Sequence, residues 1–219
     1  MSKHLQRQIE ALKQKILSVG TLVEDAIAKA ISALVNRNGD LAREVIDSDS
    51  EIDRMEVDVE EECLKVLALY QPVAADLRFV VAVLKINNDL ERMGDLARNI
   101  AKRVAYLASH DRIDLPTEFR GMAAKAQGMV KRSLDALVNS DTLLARQIRD
   151  EDDEVDSLQR VIRDRIETQM RQSPEKLELL MRLMSVSRHL ERLADMATNV
   201  AEDVIYMVEG DIVRHRAAE

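Results

Sequence analysis

The chain contains one long stretch twice. Residues 88–106, NDLERMGDLARNIAKRVAY, return at an offset of 100 as residues 188–206, RHLERLADMATNVAEDVIY, with nine of the nineteen positions identical. Whatever local structure the first copy adopts, the second must be able to adopt as well. Leu90, Ala97, Ala101 and Val104, with their equivalents Leu190, Ala197, Ala201 and Val204, recur at the three- and four-residue spacing of a buried helix face. Glu91, Asp95 and Asn99, which return as Glu191, Asp195 and Asn199, share the helical spacing but not the chemistry of a core.

The repetition extends upstream of these helices. Ala33-Leu34-Val35-Asn36 returns as Ala136-Leu137-Val138-Asn139 at an offset of 103, and Asp47, Asp49, Glu51 and Asp53 return as Asp150, Asp152, Glu154 and Asp156. Within each copy the apolar periodicity predicts three long helices. In the first half these run from about 4 to 37, 40 to 71 and 74 to 109, and in the second from about 117 to 139, 141 to 171 and 175 to 209. Gly39 suits the end of the first helix and Asp40 the start of the second. Pro72 and Pro174 separate the second and third helices of each copy, because a proline disfavours helical geometry in the residue before it. A unit of about 100 residues is too large for a solenoid repeat. Short connections make sequential helices antiparallel neighbours. The sequence therefore predicts an all-α fold of two tandem three-helix bundles, six long antiparallel helices in all, divided into 1–110 and 111–219. With 2% aromatic residues and only nine glycines and prolines, there is little material for sheets or hairpins.

The formal charge of −8 argues against a nucleic-acid binder, which needs a clustered basic face. No stretch approaches the roughly 18 apolar residues of a membrane span, and the amino terminus lacks the apolar segment of a signal peptide. A cytoplasmic protein that meets membranes only through partners is expected. Cys63, the only cysteine, lies on an apolar helical pattern and reads as a buried, inert thiol.

Glu91 and Asp95 are spaced i,i+4, as are Glu191 and Asp195, Asp49 and Asp53, and Asp152 and Asp156. Such residues share a helix face, and like charges there cost a few tenths of a kcal/mol unless a cation compensates. In an antiparallel hairpin, residues equally far from the turn lie at one height. Counting from the turn at Pro72, Asp53 falls beside Glu91 and Asp49 beside Asp95; counting from Ser173, Asp156 falls beside Glu191 and Asp152 beside Asp195. Each half thus predicts a shallow set of four carboxylates, with Asn99 or Asn199 one turn further along. Such oxygens suit Mg²⁺, Ca²⁺, Mn²⁺ or ferric iron, with Zn²⁺ less favoured. The competing reading is of surface acids paired with Arg92, Arg98, Arg192 or nearby lysines. Glu24 is a weaker extra candidate for the first site, and His189, in the place of Asp89, reads as a surface histidine.

The two copies of LER-x-x-D-x-A-x-N, the preceding Asp-x-x-x-Asp pairs and the ending from Glu202 to Glu209 closely resemble the PhoU family of bacterial phosphate-transport accessory proteins. The resemblance covers essentially the whole chain. It implies two three-helix bundles, with metal ions, including multinuclear iron, bound at Asp49, Asp53, Glu91, Asp95 and Asn99 and at Asp152, Asp156, Glu191, Asp195 and Asn199. It further implies a regulatory adaptor between a phosphate ABC transporter ATPase and a sensor histidine kinase, restraining the phosphate-starvation response, with a homodimer as the expected assembly. A purely structural scaffold is the alternative. A di-iron carboxylate enzyme is disfavoured because the chain has no Glu-x-x-His. Neither a phosphate loop nor a catalytic triad has supporting spacing, so no enzymatic activity is expected.

Overall fold

The computed structural model describes residues 3–211. Its helices are α1 (Lys3–Asn36), α2 (Gly39–Tyr70), α3 (Ala74–Ala108), α4 (Glu118–Asn139), α5 (Thr142–Asp150), α6 (Asp152–Gln172) and α7 (Leu177–Glu209), with a 3₁₀ turn at Pro174–Lys176 leading into α7. No strand occurs among the described residues. The expected all-α architecture is therefore the one observed, with two boundary corrections.

First, the α1–α2 junction does not use Gly39 and Asp40 as expected. Arg37 takes the left-handed conformation that ends α1, with φ of 50°. Asn38 caps α2, its side chain accepting from the backbone N–H groups of Asp40 and Leu41 at 3.1 and 3.0 Å. Gly39 lies inside the first turn of α2. The second copy does likewise, with Ser140 left-handed at φ of 52° and Asp141 accepting from Leu144 N–H at 3.0 Å.

Second, the predicted helix over 141–171 is broken at Glu151, whereas its equivalent α2 is continuous. The second copy carries five consecutive acids, Asp150 to Glu154, where the first alternates acid and serine from Asp47 to Glu51. Around Glu151 the backbone tightens to i→i+3 bonds, from Glu151 N–H to Ile148 O and from Glu154 N–H to Glu151 O. Arg132 on α4 grips the Glu151 carboxylate with both terminal nitrogens, one bond measuring 2.7 Å.

Pro72 lies, as expected, in the connection before α3, and Pro174 opens the 3₁₀ turn that leads into α7.

α3 and α7 occupy equivalent places in the two copies and pack against each other at the centre of the molecule, with α1 and α2 flanking α3, and α4, α5 and α6 flanking α7. One continuous hydrophobic cluster runs through both halves, including Leu90, Met93, Ile100, Leu190, Leu193 and Val200, all fully buried. Each such large side chain contributes about 1.5–3 kcal/mol by leaving water. α1 also meets α4, where a Cβ on Gly20 would lie 2.9 Å from Leu134 Cδ2. Cys63 is fully buried, and burial pushes its thiol up to about 12. Among the described residues no helix is long and apolar enough to cross a membrane.

Candidate functional site

The long polar stripes of α3 and α7 face their neighbours on the outer side of the molecule. On α3, Glu91 and Asp95 are half-buried and look across to α2. α2 comes close here because position 94 is glycine: a Cβ there would sit 3.1 Å from Ile52 Cδ1. Asp49 on α2 is only 5% exposed, deeper than the shallow placement expected of it, while Asp53 is exposed.

The four acids act on one another electrostatically. Desolvation raises the Asp49 carboxyl above its usual range, and Asp53 and Asp95 push it further while Arg98 opposes them. Glu91 is also raised, by desolvation first and then by Asp95, Asp53 and Glu56. Arg98 lies between the two helices. One terminal nitrogen bonds Asp49 Oδ2 and the other lies 2.5 Å from Asp95 Oδ1. The first cluster thus already contains a cation, the chain's own guanidinium.

The second cluster lies between α7 and the start of α6. Asp152, Asp156, Glu191 and Asp195 are all half-buried. Desolvation followed by the charges of Glu191, Asp152 and Asp156 raises Asp195 to about 6. Glu191 is raised by desolvation, Asp156 and Asp152. Asp152 is raised by desolvation and by Asp156, Asp153 and Glu202.

The equivalent of Arg98 is Thr198, which brings no charge. Its hydroxyl faces Asp152 and favours the ionised carboxylate. Yet neither Asp152 Oδ1 nor Thr198 Oγ1 closes a well-aligned bond, and both atoms are buried without a partner. Unsatisfied buried oxygens of this kind are costly, each about 1–3 kcal/mol.

The remaining candidates have contacts of their own. The Asn99 backbone carbonyl accepts from Arg103 at 3.1 Å. The Asn199 amide approaches Met196 Sδ at 4.0 Å. His189 is half-buried among arginines and not a surface residue. Glu56, which the sequence reading passed over, raises Glu91. Glu202, noted in the sequence only as part of the carboxyl-terminal motif, raises Asp152 and pairs with Arg149 at 3.3 Å.

In the second half Arg192 is the positive charge that opposes the mutual repulsion of Glu191 and Asp195, and carboxylate oxygens are the ligand type of hard cations. As the side chains stand, no three Asp, Glu, His or Cys groups among the described residues are already arranged around an ion. The PhoU domain family matches the chain twice, over residues 16–104 and 119–204, one match on each half. The chain belongs to the PhoU family.

Among its relatives, the phosphate-specific transport system accessory protein PhoU homolog of Aquifex aeolicus is 41% identical over 210 residues, covering 96% of this chain and 95% of that protein. The homolog from Pseudomonas aeruginosa is 34% identical, covering 98% and 89%. The crystal structure of PhoU from Pseudomonas aeruginosa superposes with a TM-score of 0.91 at 33% identity, covering 94% of this chain and 99% of that one. The phosphate transport system regulatory protein PhoU of Streptococcus pneumoniae gives a TM-score of 0.87 at 28% identity, covering 95% and 99%. These PhoU relatives carry the names of accessory and regulatory proteins.

Proposed function

We propose that this PhoU-family protein is a metal-responsive, non-catalytic adaptor that couples a phosphate ABC transporter ATPase to a sensor histidine kinase and restrains the phosphate-starvation response. The observation that supports the metal part is the second carboxylate cluster, where desolvation and mutual repulsion raise Asp152, Glu191 and Asp195, Asp156 contributes further negative charge, and an Asp152 oxygen is buried without a partner. The adaptor part rests on near full-length similarity to relatives named for phosphate transport.

Asp152, Asp156, Glu191 and Asp195 are the residues to hold the ion first. A bound divalent or ferric cation would supply the positive charge that the cluster lacks. Asp49, Asp53, Glu91 and Asp95 would hold a second ion only after Arg98 withdraws from Asp49 and Asp95. On this reading the two halves load unequally. Asn99 and Asn199 are auxiliary oxygens one turn away.

The test is elemental analysis of the native purified protein, for iron, manganese, magnesium, calcium and zinc, beside a pull-down of the ATPase and kinase. The wild type should carry metal and retain both partners, and Asp195→Ala should lose metal before Asp95→Ala does. Metal content unchanged in the Asp95→Ala, Asp195→Ala double variant would favour a purely structural scaffold. Failure to retain either partner, with or without metal, would sink the adaptor reading.

A further inference from the structure

The antiparallel packing of α3 on α7 creates contacts in equivalent pairs, and one pair is chemically mismatched. At one corner, Lys85 of α3 reaches Asp203 of α7, with Nζ to Oδ1 at 3.1 Å and Asp203 only 1% exposed. At the equivalent corner Ser185 stands for Lys85 and Arg103 for Asp203. Arg103 Nε donates to Ser185 Oγ at 2.9 Å, and its Nη1 donates to the Asn99 carbonyl at 3.1 Å. The carboxylate of the first corner has become a guanidinium whose partners are both neutral.

One turn further along α7, Ser185 Oγ lies 3.3 Å from His189 Nε2, and His189 Nδ1 is buried without a partner. In the other copy the position of His189 is held by Asp89. The charges that bear on Arg103 are those of Arg182 and Arg188, both of its own sign. The charges nearest His189 are likewise all positive, those of Arg103, Arg192 and Arg188. Arg182 is engaged elsewhere, bonding Glu178 at 2.9 Å and lying 3.5 Å from the centre of the Tyr106 ring. Its Nε is buried and unpartnered.

Uncompensated, partly desolvated cations are costly. A guanidinium edge beside a hydroxyl is the donor set that oxyanions select.

We propose that the Arg103–Ser185–His189 corner binds a small inorganic oxyanion of the phosphate or sulfate type, which supplies the negative charge that Asp203 gives the equivalent corner and that this one lacks. Arg103 offers charge and its remaining guanidinium N–H groups, Ser185 a hydroxyl that can turn outward, and Arg188 further positive charge from an exposed position. The proposal does not use the carboxylates and survives the failure of the metal reading.

The experiment is thermal unfolding with calorimetric titration of the full chain in a chloride buffer with a chelator, so that no metal can bridge the anion to the carboxylates. Sodium phosphate and sodium sulfate are compared with sodium chloride at equal ionic strength. Phosphate, sulfate or both should raise the wild-type Tm by about 3–5 °C at about tenfold excess over Kd, with one site per chain, and the comparison identifies which oxyanion is preferred. Arg103→Gln should abolish the response. Ser185→Asp, which tethers a carboxylate beside Arg103, should raise the Tm without added anion and remove the response to it. If Arg103→Gln does not fold, Ser185→Asp decides alone. The proposal is overturned if neither oxyanion exceeds chloride in the wild type, or if either variant that folds responds as the wild type does.

Discussion

The inequality of the two carboxylate clusters can be tested by replacing Arg98 with the residue its repeat equivalent carries. In Arg98→Thr, the buried Asp49 loses its charged partner. A hydrogen bond to a charged group is worth about 1.5–3 kcal/mol, and burial places this one near the middle of that range. The Asp95 branch is weaker, because its side chain is 40% exposed; screened pairs of that kind contribute about 0.5 kcal/mol. The sum is about 2–3 kcal/mol, which for a chain of this length lowers the Tm by roughly 5–10 °C. The loss should be largest at neutral pH and shrink toward pH 4, as Asp49 takes up a proton and the wild type surrenders the same interaction. A divalent cation should recover part of the loss in the variant and stabilise the wild type less. Calorimetry of metal-free protein across pH, repeated with Mn²⁺ or Mg²⁺, reads all three effects. A metal-free Tm within about 2 °C of wild type at neutral pH, or a deficit that does not narrow with acid, would refute the assignment of Arg98 as the resident cation.

Three further outcomes follow from the same geometry. Asp195 is raised from 3.8 to about 6, so the metal-free folded state binds its proton more tightly than the unfolded chain, and stability is lost as pH rises through that window. Asp195→Asn should therefore gain stability over wild type from pH 4 to pH 8 in chelator, and urea unfolding that finds it weaker at pH 8 contradicts the crowding argument. The Cys63 thiol, fully buried and pushed up to about 12, should react with a disulfide reagent only at the rate of unfolding; rapid labelling of native protein would mean that α2 opens locally. Ile100→Ala, at a fully buried position of α3, should cost about 2–5 kcal/mol in denaturant unfolding, and a change below about 1 kcal/mol would mean that the seam repacks freely.

The helices were legible because their apolar residues follow the helical period, and the repeat supplied each assignment twice. Leu90 and Leu190, or Val104 and Val204, could be placed in the core from spacing alone. The break at Glu151 was not legible from periodicity, since the apolar pattern runs straight through it. Its signal lay in the acid run Asp150 to Glu154, which in the first copy is interrupted by Ser48 and Ser50. The carboxylate neighbours came out of helix height because hairpin geometry fixes axial position. Depth was harder. Asp49 is buried where a shallow site was expected, because rotation about a helix axis depends on packing that no single-helix pattern specifies. The contrast between Arg98 and Thr198 was printed in the alignment of the two copies. Its meaning needed the guanidinium to be seen reaching both Asp49 and Asp95.

The central pairing of α3 with α7 also sets a dynamic hierarchy. Amides in these two helices lie at the middle of the single apolar cluster, so their hydrogen exchange should require global unfolding. α2 and the α5–α6 pair pack on the outside and have access to smaller openings. Each carboxylate cluster spans a slow helix and a faster one. An ion bound there would act as a clasp whose effect on protection appears in α2 and α6, while α3 and α7 provide an immobile frame.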